Sequence, residues 1–347
     1  MRRTDGRRAR AATAGTIRRE IRGAATLGAA AAVAVAVMMV VPAAPASAAP
    51  RPASSYRVVD LGTLTFTGHG GERANAISPR GEIVGQAELY PSSCCSGYLH
   101  ATVFGSGGTN RDLGALTGYT GLSDALAVNS RGDVVGWSYS AGGTQEAVIW
   151  PGGGAELVLF RGEATGINAS GLVAGTMGTA AGDRAVTWDR GHLLELPVPA
   201  GATSTANGID DRGDVIGSVT TAAGGQHAAM WSHQHLVDLG PGDALAVDNH
   251  REVVGTSGGD AVMWRGGRAT VLVPDATANA ISPSGEVAGT RYQGVSPFSI
   301  GFVWSHGVTA DLPTNGPYNS ATGVNAAGVV VGVQGYCGHA TAWLPSK

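Results

Sequence analysis

Seven copies of one short pattern run through this chain, and they restrict its fold more than any other feature. The pattern reads A-x-[AG]-[IV], a polar residue, two variable residues, Gly, and a Val-rich step that closes on Gly. Copies begin at Ala74, Ala125, Ala164, Ala206, Ala244, Ala278 and Ala321. They close at Gly85, Gly136, Gly175, Gly217, Gly255, Gly289 and Gly332, with no gap inside any copy. The closing glycines recur about every 41 residues, the length of one four-stranded propeller blade.

Each copy continues into an apolar strand that ends on an aromatic: Phe104, Trp150, Trp188, Trp231, Trp264, Trp304 and Trp343. A further short element follows in six copies, as in Asp112-Leu113-Gly114, Val237-Asp238-Leu239 or Ala310-Asp311-Leu312. Four strands per copy result: a (A-x-[AG]-[IV]), b (the Val step), c (ending on the aromatic) and d (the Asp-Leu element). The last copy stops after Trp343 and has no strand d, whereas Tyr56-Arg57-Val58-Val59-Asp60-Leu61 is a strand d with no copy before it. The two chain ends therefore complete one blade, and a ring closed in this way exposes no sheet edge. The expected fold is all-β: a seven-bladed β-propeller of four-stranded blades over residues 56–347, its N-terminal strand completing the last blade.

Local chemistry agrees. Glycine supplies 55 of 347 residues without a Gly-X-Y period, which indicates many tight turns. The a–b connection, as in Ile167-Asn168-Ala169-Ser170-Gly171, is a four-residue hairpin turn. Asn bonds its own backbone there, and Gly takes the left-handed position. The fifth copy has Arg251 at that position, so a positive φ is expected there, at a cost of about 1 kcal/mol.

Residues 1–48 read as a signal peptide. Eight Arg fall within the first 22 residues, Ala24 to Val41 is uncharged and apolar, and Ala46-Ser47-Ala48 offers a cleavage site. Arg18-Arg19 resembles a twin-arginine signal, with Arg22 departing from that pattern. An uncleaved anchor is the alternative, since 18 apolar residues could just span a bilayer. Residues 49–55 form a short linker. Removing residues 1–48 lowers Lys+Arg from 23 to 15 and Asp+Glu from 26 to 24, leaving a net charge of −9. No basic patch remains to neutralise phosphates, so nucleic acid is not an expected partner. An exported, monomeric domain, free of the membrane once cleaved, is the expectation.

Asp60-Leu61-Gly62-Thr63-Leu64 and Asp112-Leu113-Gly114-Ala115-Leu116 resemble the D-L-G-T-L segment of extracellular HAF-repeat proteins. The N-x-x-G turn, the V-V-G step and His227-Ala228 or His339-Ala340 ahead of Trp resemble the rest of that repeat. The namesake Phe is replaced in most copies, as by Ala229, Thr341 and Thr102. The resemblance covers residues 56–343; it implies an exported repeat protein and no particular reaction.

Function is expected on the face that carries the d–a and b–c loops, because their lengths vary while the a–b and c–d turns do not. Seven tyrosines fall there (Tyr90, Tyr98, Tyr119, Tyr139, Tyr292, Tyr318 and Tyr336), with Trp137, the one Trp outside the repeat position. All belong to blades 1, 2, 6 and 7. They form a candidate crescent for stacking on carbohydrate or anchoring an extracellular protein, unless the long loops pack them as local cores. Cys337 and the pair Cys94 and Cys95 lie on b–c connections of neighbouring blades, so a disulfide from Cys337 to Cys94 or to Cys95 is expected to staple the ring. Arg131-Gly132-Asp133 and Arg212-Gly213-Asp214 sit on the repeat's own turn and carry no adhesion argument. The recurrent Asp60, Asp112, Asp238 and Asp311 are expected to cap the outer strands or to protect their edges. No catalytic set, metal spacing or cofactor motif stands out. The function expected is non-enzymatic binding. The alternative is a polysaccharide-active hydrolase or lyase, with Glu72 and Glu88 the nearest carboxylates.

Overall fold

A computed structural model of the chain describes residues 52–53, 55–64, 71–89, 98–118, 121–292 and 299–346. The signal segment, Tyr90, Tyr119, Cys94 and Cys95 lie outside the described residues.

The described chain is all-β and propeller-like. Its strands form antiparallel, four-stranded units in which a, b, c and d lie side by side. The first unit consists of Arg73–Ile77, Ile83–Leu89, Tyr98–Phe104 and Arg111–Gly114. The a strands of the following units are Ser123–Val128, the second half of Leu157–Ile167, Thr203–Ile209, Asp243–Val247, Ala276–Ile281 and Asn319–Val324. In the last unit the outer strand is Tyr56–Asp60. It pairs with His339–Pro345, Val58 facing Trp343 and Asp60 facing Thr341, so the two chain ends share one sheet.

One sheet departs from the sequence reading. Leu157–Ile167 is a single eleven-residue strand, not a strand d, a loop and a strand a. Its first half pairs with unit 2 and its second half with unit 3, which fuses them into a seven-stranded sheet. Gly162 makes the turn between the two pairings possible. Its φ is +134°, and a Cβ there would collide with the Thr176 carbonyl oxygen.

The a–b turns are as their residues require. The polar residue that opens each turn caps it: Asn168 Oδ1 accepts from the N–H groups of Ser170 and Leu172 at 3.0 Å each. The turn glycines from Gly81 to Gly328 have φ between 73° and 91°, and Arg251, standing in their place, has φ 65°. Arg251 is held there by an ion pair to the buried Asp214 of the preceding unit (2.5 Å), which offsets its backbone strain.

The first Ala of every strand a faces the closing Gly of strand b, and the next residue but one resumes the ladder. The intervening x residue is thus a β-bulge in each of these seven a–b strand pairs. The bulge also explains the closing glycine. A Cβ on Gly85 or Gly217 would strike the carbonyl oxygen of Arg73 or Thr205, the residue before that Ala.

The core lies between the units and not within them. Each apolar cluster joins two consecutive units. Ala174 and Ala185 of unit 3, for example, pack with Val215 and Trp231 of unit 4. Val331, Ala340 and Ala342 of the last unit, with Leu61 after its outer strand, pack with Ala74, Ile83 and Phe104 of the first. Trp150, Trp231, Trp264 and Trp343 are fully buried in these layers, each worth about 2–3 kcal/mol of burial.

Candidate functional site

The bulge re-aims one side chain per unit. Asn75, Leu126, Thr165, Asn207, Leu245, Asn279 and Thr322 together line one cavity of about 380 Å³. Five of the seven also tie their unit to the next. Asn75 donates to Ala125 O (2.9 Å), Thr165 to Ala206 O (2.7 Å), Asn207 to Ala244 O (2.8 Å) and Asn279 to Ala321 O (2.8 Å). Thr322 of the last unit donates to Ala74 O of the first (2.6 Å). The sequence reading overlooked this position. The available signal was that x is the one variable residue between two fixed small ones.

A second cavity, of about 430 Å³, opens between units 2 and 3 where the shared strand crosses. Tyr139, Thr144, Gln145, Arg161, Glu163 and Asp183 line it. Tyr139 is steadied by Trp137, the rings meeting edge to face at 5.3 Å. Glu163 is pushed above its ordinary value by burial and by repulsion from Asp183, a rise that Gln145 partly offsets. Arg161 and Glu163 flank the Gly162 kink, so the strand that fuses the two sheets also delivers a cation and a carboxylate to one groove. Of these residues the sequence reading singled out only Tyr139, because nothing local marks the crossing.

The other aromatic candidates fall elsewhere. Tyr318 and Tyr336 form a second edge-to-face pair at 6.1 Å. Tyr336 is 67% and Tyr292 59% exposed, while Tyr98 is half-buried at the start of its strand. The described members of the crescent are therefore two pairs and two single rings. Cys337 is exposed, and its expected partners lie outside the described residues.

Three of the four recurrent aspartates cap turns, and the fourth, Asp311, pairs with Arg291 instead (2.5 Å). Asp60, Asp112 and Asp238 accept from the N–H of the glycine two residues on, at 2.9, 2.7 and 2.8 Å. Asp112 and Asp238 also pair with His100 and His227 on the adjacent strand. Burial works to raise the Asp112 carboxyl, but the bonds from His100 and the Gly114 N–H outweigh it and hold the group below its ordinary range. Glu72 and Glu88 do lie close enough to repel, with His339 and Asp60 near them, but they are 1% and 8% exposed. Among the described residues, no group of three His, Cys, Asp or Glu side chains is arranged to hold a metal.

No family model matches the chain, and no curated protein does. Among solved structures it is similar to TolB from Acinetobacter baumannii, at 12% identity and TM-score 0.46 over 67% of this chain. It spans 63% of that protein's length. It is also similar to a triple arginine-to-alanine mutant of AofleA from Arthrobotrys oligospora, at 13% identity and TM-score 0.41, over 74% of this chain and 90% of that one.

Proposed function

We propose that this protein is a closed, seven-bladed β-propeller, exported from the cell, that holds a carbohydrate in the groove between blades 2 and 3 and catalyses no reaction on it. Closure is supported by the shared last sheet, by the core that joins the last unit to the first, and by the cavity to which every unit contributes one side chain. Export is supported by the charged, apolar and A-x-A order of the first 48 residues and by the HAF-like frame.

The groove carries the binding reading. Sugars present an apolar face and a rim of hydroxyls. A site for them needs an aromatic wall beside side chains that both donate and accept. Tyr139 supplies the wall. Gln145, Thr144 and Arg161 supply donors, and Glu163 and Asp183 accept. The Trp137 ring fixes the Tyr139 ring before any ligand arrives, which lowers the ordering cost of binding.

A glycan array run beside a turnover assay tests this. The wild-type protein should retain at least one glycan class unchanged. Tyr139→Ala should weaken retention about tenfold without moving the melting temperature. A protein that retains no glycan, or a variant that loses melting temperature and binding together, defeats the groove assignment. Consumption of the retained glycan defeats the non-enzymatic one.

A further inference from the structure

The cavity lined by the seven bulge residues has a chemistry that the groove does not share. Asn75 spends Nδ2 on Asp124 Oδ1 (2.7 Å) and Ala125 O (2.9 Å). Asn207 spends it on Asp243 Oδ1 (2.9 Å) and Ala244 O (2.8 Å). Asn279 spends it on Thr290 Oγ1 (3.2 Å) and Ala321 O (2.8 Å). A carboxamide nitrogen has two N–H groups, so all three are fully committed: Asn75 and Asn207 give both to the neighbouring unit, and Asn279 gives one to that unit and one to Thr290 of its own. Their Oδ1 atoms accept no hydrogen bond from any described residue. Thr165 and Thr322 likewise give their hydroxyl protons to Ala206 O and Ala74 O and keep only lone pairs. The bonds that join unit to unit thus leave a lining of five side-chain oxygen acceptors and no side-chain donor. Leu126 and Leu245 supply the rest of the wall.

The nearby charge has a sign. Asp124 and Asp243 stand directly behind two of the asparagines. Arg73 pairs with Asp124 at 2.7 Å, whereas Asp243 is bonded by Asn207 and has no cationic partner among the described residues. Asp243 therefore has no ion pair beside the cavity; burial raises its carboxyl, and the bonds from Asn207 and Ser218 partly offset this.

We propose that this cavity is a binding site for a protonated primary amine carried on an alkyl chain. An ammonium group brings three donors and needs no donor in return, which is what the lining offers. Its positive charge is favoured by Asp243, and its aliphatic stem fits the two leucines. A sugar would leave its own acceptors unmatched here, and an anion would meet only lone pairs. The chemistry is shared by a free diamine and by a lysine side chain of a peptide. The site does not depend on the groove.

Titration calorimetry of the purified protein with 1,5-diaminopentane and with acetyl-Gly-Lys-Gly-amide tests the proposal, with 1-pentanol as the uncharged probe. Saturable one-to-one binding of either amine, and none of the alcohol, is expected; the tighter amine identifies the source. Asn207→Leu should weaken it about tenfold. Leu245→Asn, which keeps every existing inter-unit bond, should tighten it and covers the case in which Asn207→Leu fails to fold. Tyr139→Ala should leave amine affinity unchanged. Absence of saturation by both amines at about 10 mM overturns the proposal. Equal binding of 1-pentanol, or loss of amine binding in Tyr139→Ala, overturns it as well.

Discussion

Two places in this molecule solve the problem of joining sheets in opposite ways. At Leu157–Ile167 one strand serves two sheets, and no loop separates units 2 and 3. In the last unit two chain ends serve one sheet, and Tyr56–Asp60 meets His339–Pro345 only through hydrogen bonds and packing. The first junction carries Leu126 at the bulge position, which makes no bond to the next unit, and Asn129 Nδ2 reaches Asn168 O there instead (3.1 Å). Around the second, side-chain and backbone bonds accumulate. Thr322 reaches Ala74 O, and Asn110 reaches Leu61 O and Thr63 O (2.9 and 3.0 Å). The N–H groups of Gly71 and Glu72 bond Gly338 O (3.0 and 3.1 Å), and that of Leu61 bonds Ala340 O (2.9 Å). One boundary has a shared strand in addition to such contacts; the other has the contacts alone.

The comparison breaks most directly if the outer strand of the last unit is removed. Deleting the chain through Asp60 would leave His339–Pro345 as an unpaired edge and strip Tyr56 and Val58 from the Trp343 layer. Lost burial of the strand's half-buried side chains amounts to about 4 kcal/mol, before the exposed edge begins to recruit other chains. The truncated protein should lose its cooperative thermal transition and elute as aggregate in size-exclusion chromatography. A truncated protein that melts within a few degrees of the full chain would mean that the shared sheet is dispensable.

A finer comparison uses one hydroxyl on each of two boundaries. Thr322→Val removes the bond to Ala74 O where the last unit meets the first, and Thr165→Val removes its counterpart between units 3 and 4. Each change is nearly isosteric and should cost about 1 kcal/mol, lowering the melting temperature by about 2–4 °C. Equal losses are expected, because the two boundaries share one bond geometry. A negligible loss for Thr322→Val alone would show that the boundary between the last unit and the first is not held as the others are.

How much of this was legible follows from which interactions are local. The pairing of Tyr56–Asp60 with the Trp343 strand could be read because each end shows half of a repeat whose complete form occurs elsewhere. The left-handed Arg251 could be read because six glycines mark its position. The bulge could not. Strict alternation along A-x-[AG]-[IV] places x on the same face as the Ile or Val. Only the ladder to the closing glycine, a contact across two strands, shows that x leaves the register. The groove was hidden for a related reason. Arg161 and Glu163 look like ordinary polar residues of an outer and an inner strand until Gly162 is seen to carry one strand through both. Asp60, Asp112 and Asp238 were legible as caps, since D-x-G contains both the acceptor and the N–H that it binds, whereas Asp311, followed by Leu312-Pro313, pairs with Arg291 instead.

The smallest expected effect concerns the carboxyl group beside the boundary between the last unit and the first. Glu72 is almost wholly buried, and neither of its carboxylate oxygens has a partner outside its own residue among the described residues. Burial pushes its carboxyl above the ordinary 4.5, Glu88 and Asp60 push the same way, and its own backbone N–H and His339 partly oppose them. An acid whose folded value is raised binds its proton more tightly in the native state. Its ionisation therefore costs stability as pH rises through the unfolded value, and the full penalty remains above the folded one. Glu72→Gln keeps the shape and removes the ionisation. The variant should match the wild type at about pH 4, where both forms are neutral, and melt about 1–2 °C higher at about pH 8. Differential scanning calorimetry at the two pH values measures the difference. A variant that gains equally at both values, or loses at the higher one, would mean that the carboxylate is matched in the native state and that the boundary between the last unit and the first carries no electrostatic penalty from it.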